Sequence, residues 1–220
     1  MMRKRLLDDR TRVAMPILIF LPIYLIWFKF IELVPFRFCI RTDLLLDKSI
    51  PFIKQFAIPY FLWFLFIPLV GAYLVFYDKE EYKRFQALLI SGMVFFLILN
   101  TFFPTGLILR PAYVAGRDIF ATMVRFLYSI DTSTNVFPSI HVYTSVVAYV
   151  CMFRSTGTLA CKRSCRIMVA LISVSIILAT MFLKQHSVLD VFFGIAMCPI
   201  LDHVVRKGEV KDVALYGNRW

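Results

Sequence analysis

The sequence predicts an all-α integral membrane bundle of six transmembrane helices, and three observations carry that prediction. Hydrophobic residues make up 60% of the 220, with a mean hydropathy of +0.75, against about 45–50% apolar residues in a soluble chain. The excess comes in long blocks near the roughly 20 residues needed to cross a bilayer core about 30 Å thick. The basic residues sit in short clusters between those blocks, as membrane topology requires, rather than along one polar face. The net charge of +11 is therefore no sign of a nucleic-acid partner. A single domain, 1–220, is expected, because spans this close together leave no room for a soluble one.

The first block runs from about Val13 to Val34. Arg3, Lys4 and Arg5 ahead of it imitate a signal peptide, but the apolar stretch is too long and lacks a small-residue cleavage site, so a retained span is expected. The second covers Phe56 to Tyr77 and the third Gln86 to Thr105. The fourth, Pro138 to Phe153, is short and is expected to tilt or sink among its neighbours. The fifth spans Ile167 to Leu183 and the last Ser187 to Val205. Sixteen of the 25 Lys and Arg then fall with the two termini and the second and fourth loops. Both termini are accordingly expected in the cytoplasm, with loops one, three and five outside the cell membrane. The third loop, Gly106 to Phe137, is the main polar segment, and loops of that length are usually functional or flexible.

The five cysteines form no C-x-x-C pair, and Cys161 and Cys165 stand four apart in a basic loop. Neither a zinc nor a redox motif is supported, and no metal or cofactor is expected.

Two of the three histidines lie at the outer ends of spans, so the topology lets them converge. His186 and Asp190 are four apart, which puts both on one face of a helix. A carboxylate one turn inside an apolar region needs a partner, and His186 is the available one. A carboxylate on one ring nitrogen fixes the tautomer and frees the other nitrogen to attack. On its own, mutual satisfaction at a helix end explains this pair equally well. In Pro138-Ser139-Ile140-His141, proline suits a first helical turn, Ser139 and the free N–H groups suit an anion, and His141 could protonate a departing oxygen. An incidental interface histidine is the plainer reading of that segment alone. Arg110, before Pro111, offers a fork for a phosphate oxyanion, although a single loop arginine is usually just solvated. His203, near the opposite end of the last span, is read as structural.

Taken in order, Arg110-Pro111, Pro138-Ser139-x-His141 and His186-x-x-x-Asp190 resemble the type-2 phosphatidic acid phosphatase superfamily. The resemblance spans all six helices and is closest to the inositol-phosphorylceramide-synthase-like branch. Asp47-Lys48-Ser49-Ile50-Pro51-Phe52, Pro59-Tyr60-Phe61-Leu62-Trp63 and Phe182-Leu183-Lys184-Gln185-His186 resemble bacterial members of that branch. It implies that His186 is the nucleophile, Asp190 its orienting partner and His141 the acid that releases the lipid alcohol. Arg110 and Ser139 are implied to bind phosphate without a metal. Two family cations are replaced, by Phe103 and by Thr180 of Ala179-Thr180, with Lys184 and either Arg117 or Arg125 as candidate substitutes. Ile140, where the phosphatases often have glycine, is similar to the transferase-like members.

The expected function is a membrane-embedded lipid phosphatase or phosphotransferase working through phosphohistidine. Its expected substrate is a phospholipid, polyprenyl phosphate or sphingolipid-like molecule, and no obligate protein partner is expected. An inositol-phosphoryl lipid transferase of the same fold is one alternative. A non-catalytic transporter or assembly protein is another, which polar residues in mid-span would favour; the candidates are Asn100, Thr101, Ser173 and Ser175.

Overall fold

The computed structural model describes residues 2–33, 35 and 38–216, with side chains from 10 to 207 within that set. Of the cations used to assign orientation, Arg37 and Arg219 lie outside the described residues, as do the side chains of Arg3, Lys4, Arg5 and Lys211. So does Val34, where the first block was expected to end.

The protein is all-helical apart from a minimal parallel pairing of Ile40–Arg41 (β1) with Thr105–Gly106 (β2). The helices are α1 (Met2–Ile31), α2 (Ala57–Tyr77), α3 (Lys79–Phe102), α4 (Ile119–Ile130), α5 (Ile140–Arg154), α6 (Arg163–Phe182) and α7 (Val188–Tyr216). Five of them, α1, α2, α3, α6 and α7, are long and apolar enough to cross a membrane.

Most expected boundaries shift: α1 begins at Met2 rather than Val13 and α6 at Arg163 rather than Ile167. Helix α3 starts at Lys79 rather than Gln86, because the Asp78 side chain accepts from the Glu81 N–H and caps a polar first turn. Glu80 and Glu81 in that turn also favour the positive end of the helix dipole. Helix α7 continues past Val205 to Tyr216. The third loop is not simply polar: it contains α4, which is capped by Asp118 and buries Ala121, Val124 and Leu127. Those residues pack on Ala57, Tyr60, Ala179 and Leu183 of α2 and the α6 end.

Helix α5 is the inner helix. Its residues Tyr143, Val147, Ala148 and Cys151 are fully buried within the largest core cluster, between α3, α6 and α7. At 15 residues it is about 22 Å long, and its neighbours supply the apolar surroundings that a bilayer would otherwise supply. One end meets α7 through the Ser139 N–H and the Asp190 carbonyl, 3.1 Å apart. The other end meets α7 again through paired Arg154–Asp202 bonds of 2.7 and 2.9 Å. It also meets the α2–α3 junction, where Asp78 accepts from Ser155 and Thr156. The short helix thus joins the same two ends of the bundle as its longer neighbours.

Candidate active site

The site lies where α5 and α7 begin. Ser187 and Asp190 form a reciprocal cap at the start of α7. The Asp190 Oδ2 accepts from the Ser187 N–H at 2.8 Å, and the Ser187 Oγ accepts from the Asp190 N–H at 3.1 Å. This exchange satisfies two N–H groups that a helix start leaves orphaned. It also places His186 just before the helix rather than within its first turn. His186 Nδ1 then lies 3.7 Å from Asp190 Oδ2, too far for a hydrogen bond. The partner that fixes the ring is a backbone carbonyl, Val136 O, at 3.0 Å from Nδ1.

A carbonyl only accepts, so Nδ1 carries the proton and His186 Nε2 keeps its lone pair. That lone pair faces His141 Nδ1 at 3.4 Å. Because His186 Nε2 accepts there, His141 Nδ1 is the donor of the pair. His141 is wedged between Tyr60 and Trp63 of α2, with ring centroids at 4.7 and 4.4 Å.

Val136 is held in place by a polar knot at the end of α3. Thr105 Oγ1 accepts from the N–H groups of Val136 and Phe137 at 3.0 and 3.1 Å, and donates to Asn100 Oδ1 at 2.8 Å. Asn100 Nδ2 in turn donates to the Phe96 and Phe137 carbonyls. Asn100 thus ties a loop rather than lining a mid-span pathway. Asp47, buried in the first loop, accepts from the Val188 N–H at 2.8 Å and the Leu44 N–H at 2.6 Å.

Other expected site residues are placed differently. Arg110 reaches the site's rim. It lies over the Tyr128 ring at 4.5 Å and donates to Thr132 O at 2.7 Å and to Gln185 Oε1, next to His186. Burial lowers its pKa, with Asp131 opposing the shift, and the guanidinium stays charged. Ser139 is fully buried, and its hydroxyl accepts from the Val142 N–H as the α5 cap. Helix α5 therefore begins at Ile140, and Pro138 precedes the cap instead of occupying the first turn. Lys184 turns away: its Nζ donates to the Asp47 and Ile50 carbonyls at 2.7 and 2.5 Å, pinning the first loop. Arg125 is likewise bonded to the Val114 and Gly116 carbonyls, and Arg117 is exposed. Phe103 is exposed and Thr180 fully buried. Of the expected site cations, Arg110 reaches the rim, whereas Lys184 and Arg125 are bonded elsewhere and Arg117 is exposed.

The two histidines stand at the polar end of a cavity of about 280 Å³. Tyr24 and Phe28 of α1, Trp63 and Phe64 of α2, Phe96 of α3, and Leu127 and Ile130 of α4 make its apolar wall. Asp131, Thr132, Asn135 and Gln185 complete the polar end. Burial raises the Asp131 carboxyl above its ordinary range, even though Tyr60 donates to it at 2.7 Å and Arg110 lies nearby. Around His186, the donors Arg110 Nε and Gln185 Nε2 and the acceptor Asp190 Oδ1 are buried without a partner among the described residues. Buried polar atoms are nearly always satisfied, so this cluster is a place to look for a bound polar group. No cluster of His, Cys, Asp or Glu able to hold a metal occurs among the described residues.

Two positioning groups, Val136 and Asp47, escape sequence reasoning. A main-chain carbonyl leaves no side-chain signature. Asp47 was visible only as part of a stretch with no role attached to it.

Comparison with protein families, curated proteins and solved structures returns no match for this chain.

Proposed function

We propose that the protein is a membrane-embedded lipid phosphatase or phosphotransferase that works through phosphohistidine on His186. The proposed topology has six crossings, with α5 as the enclosed fourth, both termini in the cytoplasm and the site at the outer face of the cell membrane. One observation carries the reading. His186 Nδ1 lies 3.0 Å from a carbonyl, which assigns it the proton and leaves Nε2 its lone pair, and Nε2 faces His141 Nδ1 at 3.4 Å. A nucleophile and an acid are thus opposed at the end of an apolar-walled cavity suited to an amphiphile.

In the first step His186 Nε2 bonds to phosphorus and the bond from phosphorus to the lipid oxygen breaks. His141, entering this step as the imidazolium, gives its Nδ1 proton to that oxygen and becomes the neutral ring. In the second step water or an alcohol attacks phosphorus, His141 takes back a proton, and the N–P bond breaks. The two nitrogens now touch, so a phosphoryl group between them requires the rings to part. Arg110 at the rim supplies positive charge, and Asp190 behind the ring stabilises the charge that develops on His186.

The test is phosphate release from lipid phosphates and diphosphates by detergent-purified protein with a chelator present. His186→Ala is expected to reduce release by on the order of 10⁴-fold or more, and His141→Ala by about 10²–10⁴-fold. Release that persists in both variants would contradict the reading.

A second reading is a lipid-binding relative without turnover. It draws on the engagement of Ser139 and Lys184 elsewhere and on the pairing of Lys29, the other cation at the cavity, with Glu32 at 2.6 Å. Lipid binding with no phosphate release, even with alcohol acceptors added, would favour it.

A further inference from the structure

At the bundle end opposite the histidines, a groove of about 480 Å³ runs along the seam between α5 and α6. Tyr149 and Phe153 line it from α5, Cys161 from the connecting turn, and Arg163, Arg166, Ile167 and Ala170 from α6. Its two parts differ in chemistry. At the mouth, Arg166 lies over the Phe153 ring with Cζ at 4.8 Å from the centroid, anchored by its Nε on the Ala160 carbonyl at 2.8 Å. Arg163, one turn earlier, and Lys162 beside it are exposed, and neither has an ion-pair partner among the described residues. Further along, Ile167 is about half exposed, and Ala170 and Tyr149 complete the groove's apolar lining.

Among the described residues no acid lines this groove, and two carboxylates at this end of the bundle are engaged. Asp78 accepts from Ser155 and Thr156, and Asp202 from Arg154 and Arg206. Two arginines that line a groove and face no carboxylate among the described residues call for an anion, and Lys162 beside them adds to the positive charge. The half-exposed apolar seam below them distinguishes a lipid from a free anion, and a zwitterionic headgroup would bring its own ammonium towards the arginines.

We propose that this groove binds one acidic phospholipid of the leaflet opposite the histidine site. Its phosphodiester sits on Arg163 and Arg166, and an acyl chain follows Ile167, Ala170 and Tyr149. Basic pockets between transmembrane helices are a recurrent way of holding such lipids, and the planar arginine fork suits a phosphate. The proposal stands whether or not the histidine site is catalytic.

Native mass spectrometry of the detergent-purified full chain tests it, with phosphatidylglycerol, phosphatidylcholine and inorganic phosphate titrated separately. The expected result is one phosphatidylglycerol retained in preference to phosphatidylcholine, with inorganic phosphate not retained. Arg163→Gln, at an exposed side chain, is expected to weaken phosphatidylglycerol binding roughly fivefold, and Arg163→Lys to restore most of it. Equal retention of the two lipids would overturn the proposal. So would wild-type binding by Arg163→Gln, or inorganic phosphate bound as tightly as phosphatidylglycerol.

Discussion

At the residue scale, the orientation of His186 is settled by a hydrogen bond to Val136 O, while Asp190 contributes charge from 3.7 Å and caps α7. The two Asp190 roles can be separated. In Asp190→Asn the amide oxygen can still accept from the Ser187 N–H, so the cap survives and only the charge is lost. Ser187→Ala removes the hydroxyl half of the cap and is expected to cost about 1 kcal/mol of stability. Asp190→Asn is expected to melt near the wild type yet lose turnover by on the order of 10²-fold or more, as happens when a histidine loses its supporting charge. Unchanged turnover in Asp190→Asn, measured beside its thermal melt, would reduce Asp190 to a cap. The convergence of His186, His141 and Asp190 was legible because their spacing places them at facing helix starts. Val136 was not, since any residue offers the same carbonyl. Lys184 misled because its charge is visible in sequence, while its direction depends on two carbonyls of a distant loop.

At the element scale, the site depends on how closely α5 and α7 approach. A Cβ on Gly194 would lie 2.8 Å from Ser139 O and 3.1 Å from Val142 Cβ, and a backbone oxygen cannot swing aside. Gly194→Ala is therefore expected to part the two helix starts and cost about 1–3 kcal/mol. Turnover should fall on the order of 10²-fold as His141 and His186 move out of register. Gly71→Ala meets only the Phe85 ring at 3.2 Å and serves as the control, with a small shift in melting and normal turnover. A Gly194→Ala enzyme with wild-type kinetics would show that this contact does not set the site. The long spans were legible from apolar length alone. Helix α4 was not, although Asp118 followed by Ala121, Val124 and Leu127 is a cap and an apolar stripe. Its 12 residues lie among polar neighbours, and the surface the stripe packs on comes from distant parts of the chain, Ala57, Tyr60, Ala179 and Leu183.

At the scale of the whole molecule, the bundle has two chemically distinct ends. One gathers the histidines, Arg110 and the Asn100–Thr105 knot; the other gathers Arg154, Asp202, Asp78 and the basic α5–α6 turn. Cysteines mark both, Cys39 beside β1 at the histidine end and exposed Cys161 at the other. With the proposed orientation, an impermeant maleimide is expected to label a Cys39-only variant in intact cells and a Cys161-only variant only after permeabilisation. The reverse pattern would invert the topology and put the histidines in the cytoplasm. The proposed orientation rests on the distribution of basic residues in the sequence. The enclosure of α5 was only partly readable, because a 15-residue apolar block shows that a helix is short and not what surrounds it.

The most direct measurement of the central claim is capture of the covalent intermediate. Protein incubated with a lipid phosphate labelled at phosphorus would be quenched in alkali and mapped by peptide. The account predicts an acid-labile, alkali-stable label on His186 that is absent from His186→Ala. An active enzyme that carries no label on His186, or carries it on another residue, would contradict it.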